Sequence, residues 1–381
     1  MKVIVALDSF KGCLTSEEAN RAAAEGVLDL YPHAQVIQIP VSDGGEGWLE
    51  AFHAAIGGYF VRVKVCDPLG RPIMAEYLMK GKTAIIEIAR ASGLPLLKPE
   101  ERDVERANTA GTGHLIVDAI RRGCSEIIVG LGGSATCDYG FGMTMAMQQA
   151  LSKEQGWKEH VLPQLRGIRF VAATDVKNPL FGPNGAAYVF APQKGATPEV
   201  VVRREAFGKH LASVVAETMG YDCSMREGAG AAGGLGWAMM QYLGAETASG
   251  AELLLDRIGF NETILGADLV ITGEGSADRQ TLMGKLPYVI MLRARQQDVP
   301  CALISGRLRN RKALIEAGFS NAISINPPGI PLEKAIRKNW AASHIRMTVK
   351  KLGISRYKTD MCRFETRTHH IPDEDSLRIE P

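Results

Sequence analysis

The chain has 381 residues, 46% of them apolar and 23% charged, enough to bury one large core or two ordinary ones. A formal net charge of +2, from 44 basic and 42 acidic residues, lacks the positive excess that binding a phosphate backbone requires, so nucleic acid is not an expected partner. Seven cysteines, at 13, 66, 124, 137, 223, 301 and 362, form no C-x-x-C pair and no zinc pattern, which reads as reduced cytoplasmic thiols.

Val3 to Leu7 is a short β-branched run of the kind buried on both faces of a parallel sheet. Asp8 ends it before a signal-peptide core or a membrane span forms, so a cytoplasmic location and no membrane partner are expected. Thr15 and Glu18 have capping-box spacing, and Ala19, Ala22, Ala23, Val27 and Leu30 then recur on one helical face. A strand over Val36 to Val41 runs into Ser42-Asp43-Gly44-Gly45-Glu46-Gly47 and a second helix, an order that implies an open parallel sheet of the Rossmann-like or flavodoxin-like kind.

Near residue 61 the rhythm changes. Val61 to Val65 and Ile73 to Leu78 flank Pro68-Leu69-Gly70 as an antiparallel hairpin. Further strands are expected at Ala84 to Ile88, Ile127 to Leu131, Ile168 to Ala173 and Ala187 to Ala191. Alternation of strand and helix resumes with Leu269 to Thr272, Ala302 to Ser305 and Ala322 to Ile325, a rhythm that would complete the first sheet and make the middle an insertion. The expected domains are 1–62 with 288–350 as a discontinuous parallel α/β unit, and 63–287 as an inserted α/β unit. Residues 351–381, which include His369-His370, read as a loosely ordered, solvated tail.

Strand ends carry the chemistry. After Ile127 to Leu131 come Gly132-Gly133-Ser134-Ala135-Thr136 and then a helical run, a strand, turn and helix start that suits a phosphate cradle; a tight turn that binds nothing is the alternative. Gly228, Gly230 and Gly233 have G-x-G-x-x-G spacing, but no apolar strand precedes them. That favours phosphate contact or a tightly packed helix start over a nicotinamide site. Gly81-Lys82-Thr83 resembles the end of a P-loop, yet Glu76 stands where the first glycine belongs. Asp8, Asp43, Asp175, Glu274 and Asp278 sit at or just beyond strand ends, and Lys11, Lys194 and Lys285 sit in glycine-containing loops. Carboxylates to hold a divalent cation and accept a proton, with cations to offset anionic charge, are what phosphoryl transfer uses.

With these loops in place, the chain resembles the bacterial glycerate kinases that are unrelated to P-loop kinases. The likeness spans about residues 1–330 and rests on Asp8 to Gly12, Asp43 to Gly47, Thr109 to Gly113 and Gly130 to Thr136. It continues through Asp175 to Leu180, Ala191 to Ala196, Gly228 to Gly234, and Ile271 to Gly275 with Gly284-Lys285. The resemblance implies transfer of the ATP γ-phosphoryl group to D-glycerate with Mg²⁺, at a site in a cleft between two α/β domains; oligomeric state stays open. From residue chemistry and motif position, Asp175 is the expected general base, and Lys11 and Lys285 neutralise charge. Glu274 and Asp278 are the expected metal ligands, and Asp8, Ser9, Asp43 and Lys194 bind substrate. The family typically has other residues at Trp48, His114, Cys137, Tyr139, Ser276 and Ala277, and bulky Trp48 and Tyr139 are expected to narrow a pocket.

Overall fold

The computed structural model describes residues 1–10, 12–42, 44–45 and 47–352; Lys11, Asp43 and the His369-His370 tail lie outside them. Among the described residues, eleven strands form two sheets. The first has the order β11-β10-β9-β1-β2 and is parallel throughout, from β1 (Lys2–Leu7), β2 (Gln35–Gln38), β9 (Leu269–Ala277), β10 (Cys301–Leu308) and β11 (Asn321–Ser324). The second runs β3 to β8 in sequence order. It comprises β3 (Tyr59–Cys66), β4 (Pro72–Lys80), β5 (Thr83–Glu87), β6 (Glu126–Gly130), β7 (Arg169–Ala173) and β8 (Glu246–Ala248). Its first two pairings are antiparallel, as the hairpin pattern predicts, and β5 to β8 are parallel.

The chain thus leaves the first sheet after β2, builds the second, and returns at β9. That return precedes residue 288: Leu269, Val270 and Ile271 lie in register with Val3, Ile4 and Val5 of β1, as the resumed alternation at Leu269 anticipates. Ala187 to Ala191 is not a strand. It falls in the short helix Ala186–Phe190, because an alanine-rich apolar run of that length carries no period that separates strand from helix.

Period-two alternation divides β1 between two cores. Val3, Val5 and Leu7 pack under the helices Ser16–Leu30 and Lys338–Lys350, while Ile4 and Ala6 face the other way. The core on that second face also takes Leu78, Ile85, Ile128, Val171 and Ala173 from the other sheet, so one continuous core joins the two. The helices Trp48–Ile56, Gly250–Arg257, Phe260–Ile264 and Leu286–Gln296 fill it. The far face of the second sheet is covered by Ala110–Arg121, Phe141–Leu151, Pro198–Met219 and Ala231–Leu243. The layers therefore alternate helix, sheet, helix, sheet, helix, and each fully buried Ile or Leu contributes about 1.5–3 kcal/mol.

The middle layer is also latched electrostatically. Arg293, only 8% exposed, reaches from Leu286–Gln296 to Glu252 and, at 2.7 Å, to Asp256 on Gly250–Arg257.

Candidate active site

A cleft of about 1710 Å³ is lined by the carboxyl ends of strands from both sheets. Parallel strands end together, so the loops after β1, β5, β6 and β7 converge there. From the first sheet comes Ser9, whose N–H donates to the Asp8 carboxylate at 2.7 Å. Leu7 is in register with Gly273, which brings Asp8 and Glu274 to the same end of neighbouring strands; the Asp8 N–H donates to the Gly273 carbonyl at 2.9 Å.

The loop after β6 contributes Gly132, Gly133 and Ser134 to the lining; Ala135 and Thr136 are buried behind them. A Cβ on Gly132 would stand 2.6 Å from the Gly45 Cα, so this loop and the Gly44–Gly45 turn of the first unit meet backbone to backbone. Gly133 sits at φ +75°, a conformation that costs an L side chain roughly 1–2 kcal/mol. Bare backbone on such a turn can approach an anion closely.

Lys194 comes up beneath this loop. It is 3% exposed, and its ammonium donates to Ser134 Oγ at 2.6 Å and to the Thr136 carbonyl at 2.7 Å. Burial pulls its pKa down to about 8, against the opposing influence of Cys137 and Asp138. Asp175, half-buried just past β7, lines the same cleft. Ser9, Gly132, Gly133, Ser134, Asp175 and Lys194 are thus brought together.

Other expected residues stand elsewhere. Glu274 accepts from Thr281 Oγ1 at 2.6 Å and holds the Lys285 ammonium at 3.1 Å, at the first-sheet side and outside the cleft lining. Asp278 accepts from the Gln280 N–H at 2.8 Å, closing its own turn. Gly228, Gly230 and Gly233 are not brought to the cleft. A Cβ on Gly233 would lie 2.0 Å from the Thr136 carbonyl oxygen and one on Gly230 2.4 Å from that of Pro179, so these glycines serve the close-packing alternative.

Trp48 and Tyr139 do not narrow the pocket either, since both are fully buried. The Trp48 indole N–H donates to the Gly250 carbonyl, and the Tyr139 hydroxyl donates to the Arg204 carbonyl on Pro198–Met219. Asp138 is structural as well: it accepts the Thr109 N–H, the Thr109 hydroxyl and the Gly142 N–H, tying the Thr109 motif to the start of Phe141–Leu151.

Arg90 and Lys338 are among the cleft residues that no sequence motif marks. Arg90, three residues past β5, pairs with Glu50 and lies 3.8 Å from both Glu76 and the buried Glu87. Its position after a strand end was the available signal. Lys338 reaches the cleft from the last helix and pairs with Glu18 at 2.9 Å; its place depends on tertiary packing alone.

The family model for the glycerate kinase family matches residues 3–354. The chain belongs to the glycerate kinase family. It is 37% identical to a glycerate kinase of Bacillus subtilis over 93% of this chain and 97% of that one. Against the glycerate 2-kinase of Escherichia coli K12 the identity is 38%, over 85% and 91%. A crystal structure assigned to glycerate kinase 2 of Salmonella typhimurium LT2 superposes with a TM-score of 0.77 at 35% identity, covering 95% of this chain and 99% of the other. The family match extends past residue 330, where the motifs end, and takes in the helix Lys338–Lys350 that covers β1.

Proposed function

We propose that the chain transfers the terminal phosphoryl group of ATP to a hydroxyl of D-glycerate, giving phosphoglycerate and ADP. The observation that carries this reading is one cleft in which a side-chain-free backbone turn, backed by a buried lysine, shares a wall with a carboxylate at a strand end. The residues fit the nucleotide: Gly133 holds φ +75° in the cleft wall and carries no side chain there, and bare backbone of this kind suits phosphate oxygens. For a hard divalent cation the fit is poorer: Asp8 and Glu274 stand on neighbouring strands, but Glu274 is already engaged by Thr281 and Lys285 outside the cleft lining, and the described residues assemble no cluster of carboxylates to hold the ion.

In this reading Asp175 takes the proton of the attacking hydroxyl. Lys194 holds the phosphate turn in shape through Ser134 and Thr136. Lys285, held by Glu274, offsets charge from the first-sheet side. Lys11 and Asp43 keep their charge-neutralising and substrate-binding roles on their motif positions alone. Ser9 contacts the acceptor. A cytoplasmic location belongs to this reading; no described helix is long and apolar enough to cross a membrane.

The test is steady-state ADP release with Mg-ATP and a panel of small hydroxy acids. D-glycerate should give the highest kcat/KM; equal or higher values with another hydroxy acid would reassign the acceptor, and release independent of any acceptor would make the protein a hydrolase.

A further inference from the structure

The glycine turn after β6 is held on both flanks. On one, the Leu94 N–H donates to the Gly133 carbonyl and the Ala135 N–H to the Ser92 carbonyl, both at 2.9 Å, and Gly93 bridges Ser134 in antiparallel fashion. On the other, the short turn Pro192–Lys194 sends the Lys194 ammonium to Ser134 Oγ at 2.6 Å. Each flank also places apolar surface in the cleft wall: Leu94, Pro95 and Leu96 from the first, Phe190 from the second, where the Gln193 amide also lies.

Phosphate groups account for the turn and its lysine but not for these flanks. Glycerate is small and polar throughout, with one carboxylate and two hydroxyls on three carbons, and offers an apolar wall nothing in return for its lost hydration. A nucleoside base has two apolar faces and a hydrogen-bonding edge, the combination that an apolar slot with one amide suits. We propose that Leu94, Pro95, Leu96 and Phe190 form the pocket for the base of the phosphoryl donor, with Gln193 serving its polar edge. This rests on the reading of the chain as a nucleotide-dependent kinase and adds where the nucleoside goes.

Calorimetric titration of the full chain with ATP and with inorganic tripolyphosphate, which carries the phosphates without a base, tests it. Wild type should bind ATP at least about tenfold more tightly than tripolyphosphate, and Phe190→Ala should weaken ATP about 5- to 100-fold while leaving tripolyphosphate unchanged. Leu96→Ala, on the opposite flank, should show the same split and serves if Phe190→Ala does not fold. Equal loss for both ligands, or no loss for either, overturns the pocket, as does a rise confined to the KM for D-glycerate. A base-dependent difference in a chain that gives no ADP with D-glycerate would uphold the pocket and sink the kinase reading instead.

Discussion

Lys194 Nζ lies 2.6 Å from Ser134 Oγ and 2.7 Å from the Thr136 carbonyl, which ties the turn after the Ala186–Phe190 helix to the glycine loop after β6. The ammonium is buried, and its pKa falls to about 8 in the folded protein against about 10.4 in an unfolded chain. Between those values the unfolded chain binds a proton that the folded one does not, so stability rises with pH through this window. The unfolding free energy of wild type relative to Lys194→Met should therefore increase by about 3 kcal/mol from pH 7.5 to 10.5. Denaturant melts of both proteins across that range check this; a constant difference would place the lysine's pKa near its ordinary value.

The meeting of Gly132 with the Gly44–Gly45 turn makes a second prediction. A Cβ on Gly133 would meet only the Ala89 methyl, at a tight 3.3 Å, but φ there is positive, whereas Gly132 lies outside the positive-φ range and has backbone 2.6 Å away. Gly133→Val should raise the KM for ATP about tenfold or more while shifting Tm by only a few degrees. Gly132→Ala should cost more stability, because two backbones must separate. A folded Gly133→Val variant with normal ATP affinity would reduce the loop to a turn.

Asp175 follows β7 at the carboxyl end of a parallel strand and lines the cleft. Asp175→Asn keeps the shape and removes the charge, so kcat should fall about 10²- to 10⁴-fold with both KM values within a few-fold. Recovery with excess Mg²⁺ would make it a metal ligand. Near-normal kcat in a stable variant would remove it from the chemistry.

Gly208 and Tyr139 make a purely structural pair. A Cβ on Gly208 would fall 2.3 Å from the Tyr139 ring, and Tyr139 itself holds φ +57°. Gly208→Ala should destabilise by about 1–3 kcal/mol through overpacking, and combining it with Tyr139→Gly should recover part of that loss. Thermal melts of the single and double variants measure the coupling; strict additivity would mean that the cost of a Gly208 side chain does not come from the Tyr139 ring.

What the sequence made legible follows from local physics. The β-branched runs at Val3, Ile127 and Leu269 mark strands that bury both faces, and the habit of parallel sheets to gather ligands at strand ends pointed to Ser9, Asp175 and the Gly132 loop. Long-range packing was not legible in the same way. Lys338 enters the cleft only because its helix lies across Ser16–Leu30, where Arg346 binds Asp29 at 2.7 Å. Gly228, Gly230 and Gly233 look like a phosphate loop in one dimension, and only the nearness of the Thr136 and Pro179 carbonyls shows what they are fitted to. The same holds for Tyr139, whose bulk is taken up by a glycine far along the chain.

Phosphorus NMR of Mg-ATP incubated with the protein and D-glycerate tests the central claim most directly. The account predicts loss of the γ-phosphate signal, growth of the ADP β-phosphate signal, and one new phosphomonoester resonance whose coupling identifies the glycerate hydroxyl that received it. An unchanged ATP spectrum, or inorganic phosphate in place of the ester, would contradict it.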